Sequence, residues 1–377
     1  MSLQKEIDDK SKEIHTDGYP VSLGELITMY KDGELDIHPE FQRFFRWNIE
    51  QKSRLIESIL LGIPVPSIFV SQREDGVWDV IDGLQRLSTI LEFVGELKDD
   101  TNKKIPPSVL VSTYYLPALS NKKWEDETDT VNSFTQTQRL TLKRAKLDVK
   151  IVKKQSDKDA KYELFQRLNT GGSSLSLQEI RNCLLVMLNR TFFRWLKDLT
   201  SFPAFQNCIA LSERLKDEQY DMELVLRFFI YKSLEGNELE GVRDIGEFVT
   251  SRMLEFAKNK KFPFKLEEAN FKKTFTLLNE CLPEEVFTKY DLAKERFLGS
   301  FSISAFEVIA IGLGKNVSSY PSKTDPELLQ LMTEKIKNIW KDEIYKAHSG
   351  TGLRAGNRIP HLIPLGENLF KYENQNS

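Results

Sequence analysis

Asp82-Gly83-Leu84-Gln85-Arg86 gathers a carboxylate, a glycine, a carboxamide and a guanidinium in one short stretch. It follows Val77–Ile81, an apolar, β-branched run that reads as a buried strand. It precedes Leu87, Ile90, Leu91, Val94 and Leu97, whose spacing lays one apolar stripe along a helix over 87–97. A helix that begins at a strand end leaves its first N–H groups unpaired and facing the loop, where they favour anions. Arg86 adds a planar cation suited to phosphate, and Asp82 a carboxylate able to hold a divalent metal or orient a water. The stretch reads as a candidate polyphosphate site. The same residues also fit ordinary architecture, with Asp82 capping the helix beside a salt-bridged Arg86.

The elements that must position this stretch can be read around it. Ser22 caps a short helix within 21–31, with Leu23, Leu26, Ile27 and Tyr30 on its apolar face. Asp36–Glu40 is extended, because a residue before proline disfavours helix. Phe41-Gln42-Arg43-Phe44-Phe45-Arg46-Trp47 then interleaves aromatics with arginines. Its rings can be core with the arginines snorkelling to water, or Arg43 and Arg46 can face the cavity that Arg86 faces. Asn48 caps a helix over 49–61, with Gln51 completing a capping box and Gly62 ending it. Pro64 and Pro66 hold the chain extended into Ser67–Gln72. Asp75-Gly76 then turns it, so that Ser67–Gln72 and Val77–Ile81 pair antiparallel.

Beyond the motif helix, 98–104 and 121–132 read as loops, and Ser112–Leu119 as an edge strand. Arg139, Lys143, Arg144, Lys146, Lys150, Lys153 and Lys154 surround a strand over 147–152. They form either a basic edge that could track a phosphate backbone or a lysine-protected sheet edge. A helix over 156–168 ends at Asn169-Thr170-Gly171-Gly172, a donor-rich turn that could face the motif or simply join two helices. Ser176-Leu177-Gln178-Glu179 opens the next helix with a capping box. The second half reads as helices over 222–234, 244–258, 266–281, 285–297 and 304–313, with a long one from the Asp325 cap through Ala347. Between two of these, residues 258–265 mix lysines with Phe262 and Phe264, as single-stranded nucleic-acid grooves and plain inter-helix loops both do.

Bulk properties narrow the classes. The 377 residues carry 53 Lys plus Arg against 56 Asp plus Glu, so global charge does not signal nucleic-acid binding and any such contact must be a local patch. Three cysteines without a CxxC argue against a disulfide framework and a thiolate zinc site. With no long apolar run and no apolar leader at the N-terminus, the expected location is the cytoplasm, with no membrane partner.

FQRFFRW, GIPVPSIFV, IDGLQRLSTI, FQRLNTGGSSLSLQEIRN and ELVLRFF occur in the order and approximate spacing of the ParB-like N-terminal domain of GmrSD-type restriction endonucleases, a family marked by an Asp-Gly-Gln-Gln-Arg motif. The resemblance covers about residues 15–230. It implies a ParB/sulfiredoxin-like α/β nucleotide-binding domain over 15–190; with the helices of the second half read as a helical domain over 191–377, the expected fold class is α+β. The resemblance further implies nucleotide binding or hydrolysis with Mg2+, and membership of bacterial anti-phage systems that act with or on DNA or with a nuclease subunit. By position, Asp82, Gly83, Gln85 and Arg86 fall on the family signature, Gln42 and Arg43 on its upstream pair, and Asn169, Gly171 and Gly172 on its Asn-x-Gly-Gly loop. The expected catalytic set is Asp82, Gln85 and Arg86, with Asp82 also on the metal. Gln42, Arg43, Arg46, Gly83, Asn169, Gly171 and Gly172 would hold the nucleotide. Leu84 departs from the signature by standing where its first Gln stands, which bears on turnover more than on binding. The competing expectation is a nucleotide-gated DNA- or protein-binding regulator without hydrolysis. His361-Leu362-Ile363-Pro364 faintly resembles the opening of an HNH nuclease, but too little chain follows for the rest of such a site, so no nuclease centre is expected.

Overall fold

In the computed structural model, the described residues are 3, 16–37, 47–99, 101–153, 177–235, 238, 244–321, 324–350 and 352–372. They fall into two compact units, Met1–Leu175 and Ser176–Ser377. The architecture is α+β, with a mixed sheet in the first unit and mostly helices in the second.

The first unit is built on strands β1 (Thr16–Ser22), β2 (Leu35–Asp36), β3 (Ile68–Gln72), β4 (Trp78–Asp82) and β5 (Lys146–Val152), in the order β1-β5-β3-β4-β2. β3 and β4 are the expected antiparallel hairpin, closed by Arg73 N–H donating to Val77 O at 2.9 Å. β3 runs parallel to β5, β2 runs parallel to β4, and β1 lies antiparallel along β5. β1 takes up 16–18, which the polar sequence there suggests would be frayed. Alternation explains the core: Leu147, Val149 and Ile151 of β5 are buried while Lys146, Asp148 and Lys150 are exposed. β5 is therefore an inner strand, and its lysines line a sheet face, not an edge.

The helices of this unit form where their caps are written. In α1 (Leu23–Asp32), Ser22 Oγ accepts from Glu25 N–H at 3.1 Å. In α2 (Ile49–Leu61), Asn48 and Gln51 form the capping box, and Gly62 ends the helix in the left-handed region. α4 (Gln136–Arg144) rests on a Thr135–Gln138 capping box that the basic character of the stretch obscures. No strand forms over 112–119. There the backbone N–H groups of Tyr115 and Leu116 both donate to Glu57 Oε1, at 2.8 and 2.9 Å, and Val111 N–H donates to Ser53 Oγ at 3.0 Å, so α2 side chains take the bonds a ladder would use. A 3-10 turn over Pro117–Leu119 follows.

The second unit comprises α5 (Leu177–Leu188), α6 (Arg190–Thr200), α7 (Pro203–Ile209), α8 (Glu213–Asp217), α9 (Tyr220–Ser233), α10 (Ile245–Lys258), α11 (Phe264–Cys281), α12 (Ile303–Asn316), α13 (Pro326–Ile339), α14 (Glu343–His348) and α15 (Ala355–Leu369). α12 and α15 cross without side chains between them: a Cβ on Gly312 would stand 2.3 Å from the Gly366 carbonyl carbon, and one on Gly366 2.1 Å from Val308 O. Two expected helices are corrected. Residues 285–297 hold not a helix but a hairpin of β6 (Lys289–Asp291) and β7 (Arg296–Leu298), its loop turned by Asp291 Oδ1 accepting from Ala293 and Lys294 N–H. The helix expected through Ala347 ends at Ile339, because Asp342 Oδ1 caps a fresh one by accepting from Tyr345 N–H at 3.0 Å.

Candidate functional site

The motif sits where β4 passes into α3 (Leu84–Phe93). The helix begins at Leu84, one turn before Leu87, because Gly83 and not Asp82 is its cap residue, and buried Leu84 extends the apolar stripe by that turn. Gly83 has φ +94°, and a Cβ there would lie 2.4 Å from Ile68 Cγ2, so the turn admits glycine alone without movement. Having no side chain, this cap leaves the first N–H groups of α3 without a side-chain acceptor.

Arg86 is 9% exposed and is held from three sides. Its Nη1 donates to Pro66 O at 2.6 Å and Ser67 O at 3.2 Å, and its Nη2 donates to Asp82 Oδ2 at 2.9 Å. Asp82 keeps 28% of its side chain exposed. The salt-bridged arrangement is thus realised, although Asp82 caps nothing. Gln85 is half-buried, and its Oε1 accepts from Trp47 N–H at 3.3 Å. That bond ties α3 to the residue that precedes the α2 cap. A second tie joins the same helices: Lys52 Nζ donates to both carboxylate oxygens of Glu92, at 2.8 and 2.6 Å. Leu84 is 6% exposed and belongs to the core.

Asp82, Gly83, Gln85 and Arg86 are therefore brought together. Gln42, Arg43, Arg46, Asn169, Gly171 and Gly172 lie outside the described residues, as do the helix over 156–168 and the Ser176 cap. Sequence reasoning missed two participants. Trp47 stands in sequence among the aromatics, although its backbone N–H is what meets Gln85, and Pro66–Ser67 signals only extended chain, although its carbonyls meet Arg86. The second had a signal: Pro66 lacks an N–H and stands before the β3 ladder, so carbonyls there need a donor from elsewhere. For a metal, the donor set is lean. Among the described residues no group of three or more His, Cys, Asp or Glu side chains gathers. A lone Asp82 nevertheless fits Mg2+ as it is held with nucleotides, by one or two carboxylates plus the phosphates.

Other candidate features resolve as packing. Phe262 and Phe264 sit in a ring cluster with Phe192, Trp195 and Phe256, at centroid separations of 5.1 to 5.8 Å, and so are not free for stacking bases. His361 lies within α15 and stacks on His348 at 3.7 Å. Cys208 is buried, which pushes its thiol up to about 12 and away from thiolate chemistry.

A mixed sheet whose fourth strand delivers Asp-Gly-Leu-Gln-Arg into a helix defines the class of domain. Residues 23–186 match the family described as GmrSD restriction endonuclease, N-terminal domain. That segment is thus similar to the N-terminal domain of GmrSD-type restriction endonucleases. No curated protein and no solved structure matches the chain. Among the described residues, no helix is long and apolar enough to cross a membrane.

Proposed function

We propose that the chain is a nucleotide-binding, NTP-hydrolysing module of a bacterial restriction-type or anti-phage system, located in the cytoplasm and acting with or on DNA. The observation that carries this reading is the Gly83 turn. It presents the uncapped start of α3 beside a part-exposed Asp82, in a segment similar to a domain named for restriction endonucleases. In this reading the phosphates lie at the start of α3, Asp82 holds Mg2+ or the attacking water, and Gln85 orients that water. Gln42, Arg43 and Arg46, with the Asn169, Gly171 and Gly172 loop, complete the nucleotide pocket. A nuclease or other subunit supplies whatever cleavage the system performs.

A second reading rests on Leu84 and the Gln85 bond. Because Leu84 is buried, the signature's first Gln has no polar counterpart here, and Gln85 Oε1 is already engaged with Trp47. Such a site would bind nucleotide without productive turnover, and its occupancy would bias how the chain engages DNA or a protein. A thermal-shift and phosphate-release screen separates the two. The purified chain is tested with Mg2+ and each ribonucleoside triphosphate, with and without DNA, beside Asp82→Asn and Gln85→Ala. A ligand at 100 times its dissociation constant adds about 2.7 kcal/mol of stability. Stabilisation with phosphate release that Asp82→Asn abolishes supports hydrolysis, and stabilisation alone supports the gated reading. No response to any nucleotide removes both.

A further inference from the structure

Three of the five guanidinium N–H groups of Arg86 are engaged within the fold. The two Nη1 hydrogens serve the Pro66 and Ser67 carbonyls, one Nη2 hydrogen serves Asp82, and the group lies under the Gly83 turn, with Nη2 3.3 Å from where a Cβ on Gly83 would be. A bidentate grip on phosphate needs two parallel donors from one face of the fork. Arg86 is 9% exposed, and it could offer its end-on Nη1–Nη2 pair only by abandoning bonds that join the start of β3, the end of β4 and the first turn of α3.

We propose that Arg86 is a positioning residue: it fixes the Asp82 carboxylate and the Pro66–Ser67 segment around the Gly83 turn, and its effect on a bound nucleotide passes through Asp82, not through contact with the phosphates. This rests on the nucleotide reading above. It assigns the cation of the motif to building the site, and leaves ligand contact to Asp82, Gln85 and the start of α3.

The test is a double-mutant cycle on the full chain with Asp82→Asn, Arg86→Gln and the pair, together with Arg86→Lys. Mg2+ with each ribonucleoside triphosphate is titrated calorimetrically over a range of salt concentration. Leu87→Ala, a core change in the same helix, serves as a stability control. If Arg86 acts through Asp82, the pair binds no worse than the weaker single variant. Arg86→Lys then recovers most of the affinity, the salt dependence keeps its slope in Arg86→Gln, and Leu87→Ala lowers the melting temperature without changing affinity. Additive losses together with a flatter salt dependence in Arg86→Gln would mean a lost phosphate contact and overturn the assignment. Where Arg86→Gln does not fold, Arg86→Met, which keeps the apolar stem and removes the charge, replaces it in the cycle. If the wild-type chain binds no nucleotide, the nucleotide reading fails by itself. The same cycle read on unliganded stability then decides the positioning role, and additivity there overturns it.

Discussion

Gly83→Ala tests the geometry on which the whole site depends, and Gly76→Ala is its internal control. Both glycines have nearly the same left-handed backbone, φ +94° and +91°, on either side of β4. An alanine at either position costs about 1 kcal/mol for that conformation. They differ in surroundings: nothing lies within 4 Å of a Cβ on Gly76, whereas one on Gly83 meets Ile68 Cγ2 at 2.4 Å and Ile68 Cβ at 2.9 Å. Ile68 is fully buried, so relief requires moving a core strand residue, and overpacking of this kind costs about 1–3 kcal/mol. The expected losses are about 1 kcal/mol for Gly76→Ala and about 2–4 kcal/mol for Gly83→Ala, by the sum of those two contributions. Hydrogen exchange read by mass spectrometry on peptides spanning β4 and α3 measures the difference locally, and each 1.4 kcal/mol appears as about tenfold faster opening. Equal effects at the two glycines would refute the claim that Ile68 closes the turn. A neutral Gly83→Ala would refute the left-handed turn itself.

Two further outcomes follow from buried carboxylates. Burial pushes the Glu57 carboxyl up, but hydrogen bonds from Thr113 and from Leu116 and Tyr115 N–H, with the Arg54 charge, outweigh it and leave the group below the ordinary carboxylate range. Its stabilisation is therefore complete above the ordinary value of about 4.3 and is lost as pH falls through the lower folded value. Exchange of the 111–116 amides should accelerate over that acidic window, and Glu57→Gln should raise it about tenfold or more near neutrality while removing the pH dependence. In the second unit, Glu307 is fully buried and both of its oxygens accept from Arg358, at 2.6 and 2.8 Å. Glu307→Gln leaves a charge without its partner and should cost about 3–5 kcal/mol in denaturant unfolding. Replacing both residues with Leu and Met should recover most of that loss.

Much of the first unit was legible because its signals are local. Asn48 with Gln51, Asp75-Gly76 and the apolar run over 147–152 determine a cap, a turn and a strand within a few residues, and these three elements formed as read. The misreadings have a common cause in bonds made across the chain. Residues 112–119 have the composition of a strand, but Glu57, more than fifty positions away, takes the Tyr115 and Leu116 N–H groups, and Ser53 that of Val111 just before them. Residues 285–297 keep helical spacing, yet Asp291 folds them into a hairpin. At the site, residue types allowed both phosphate chemistry and a salt-bridged Arg86, and only the three-dimensional arrangement adds the Pro66 and Ser67 carbonyls to the Asp82 pair. The spacing of the motif placed these groups together without saying which face each other and which face outward.

The arrangement also explains why α2, which carries none of the signature, matters to it. Gln85–Trp47 ties the cap end of α2 to the motif, and Lys52–Glu92 ties its second turn to α3, so α2 cannot shift along α3 without breaking one of them. From the same helix, Ser53 and Glu57 hold the 111–116 loop, on which Tyr114 and Tyr115 pack edge to face at 5.0 Å with Tyr114 88% exposed. An exposed aromatic on an otherwise mobile loop would lose conformational freedom whenever it made a contact. Here that freedom is already restricted by backbone bonds to α2. The motif and the tyrosine pair are thus mounted on one helix, and a displacement at the Gly83 turn large enough to disturb Trp47 must be borne by α2 or by the bonds at its two ends.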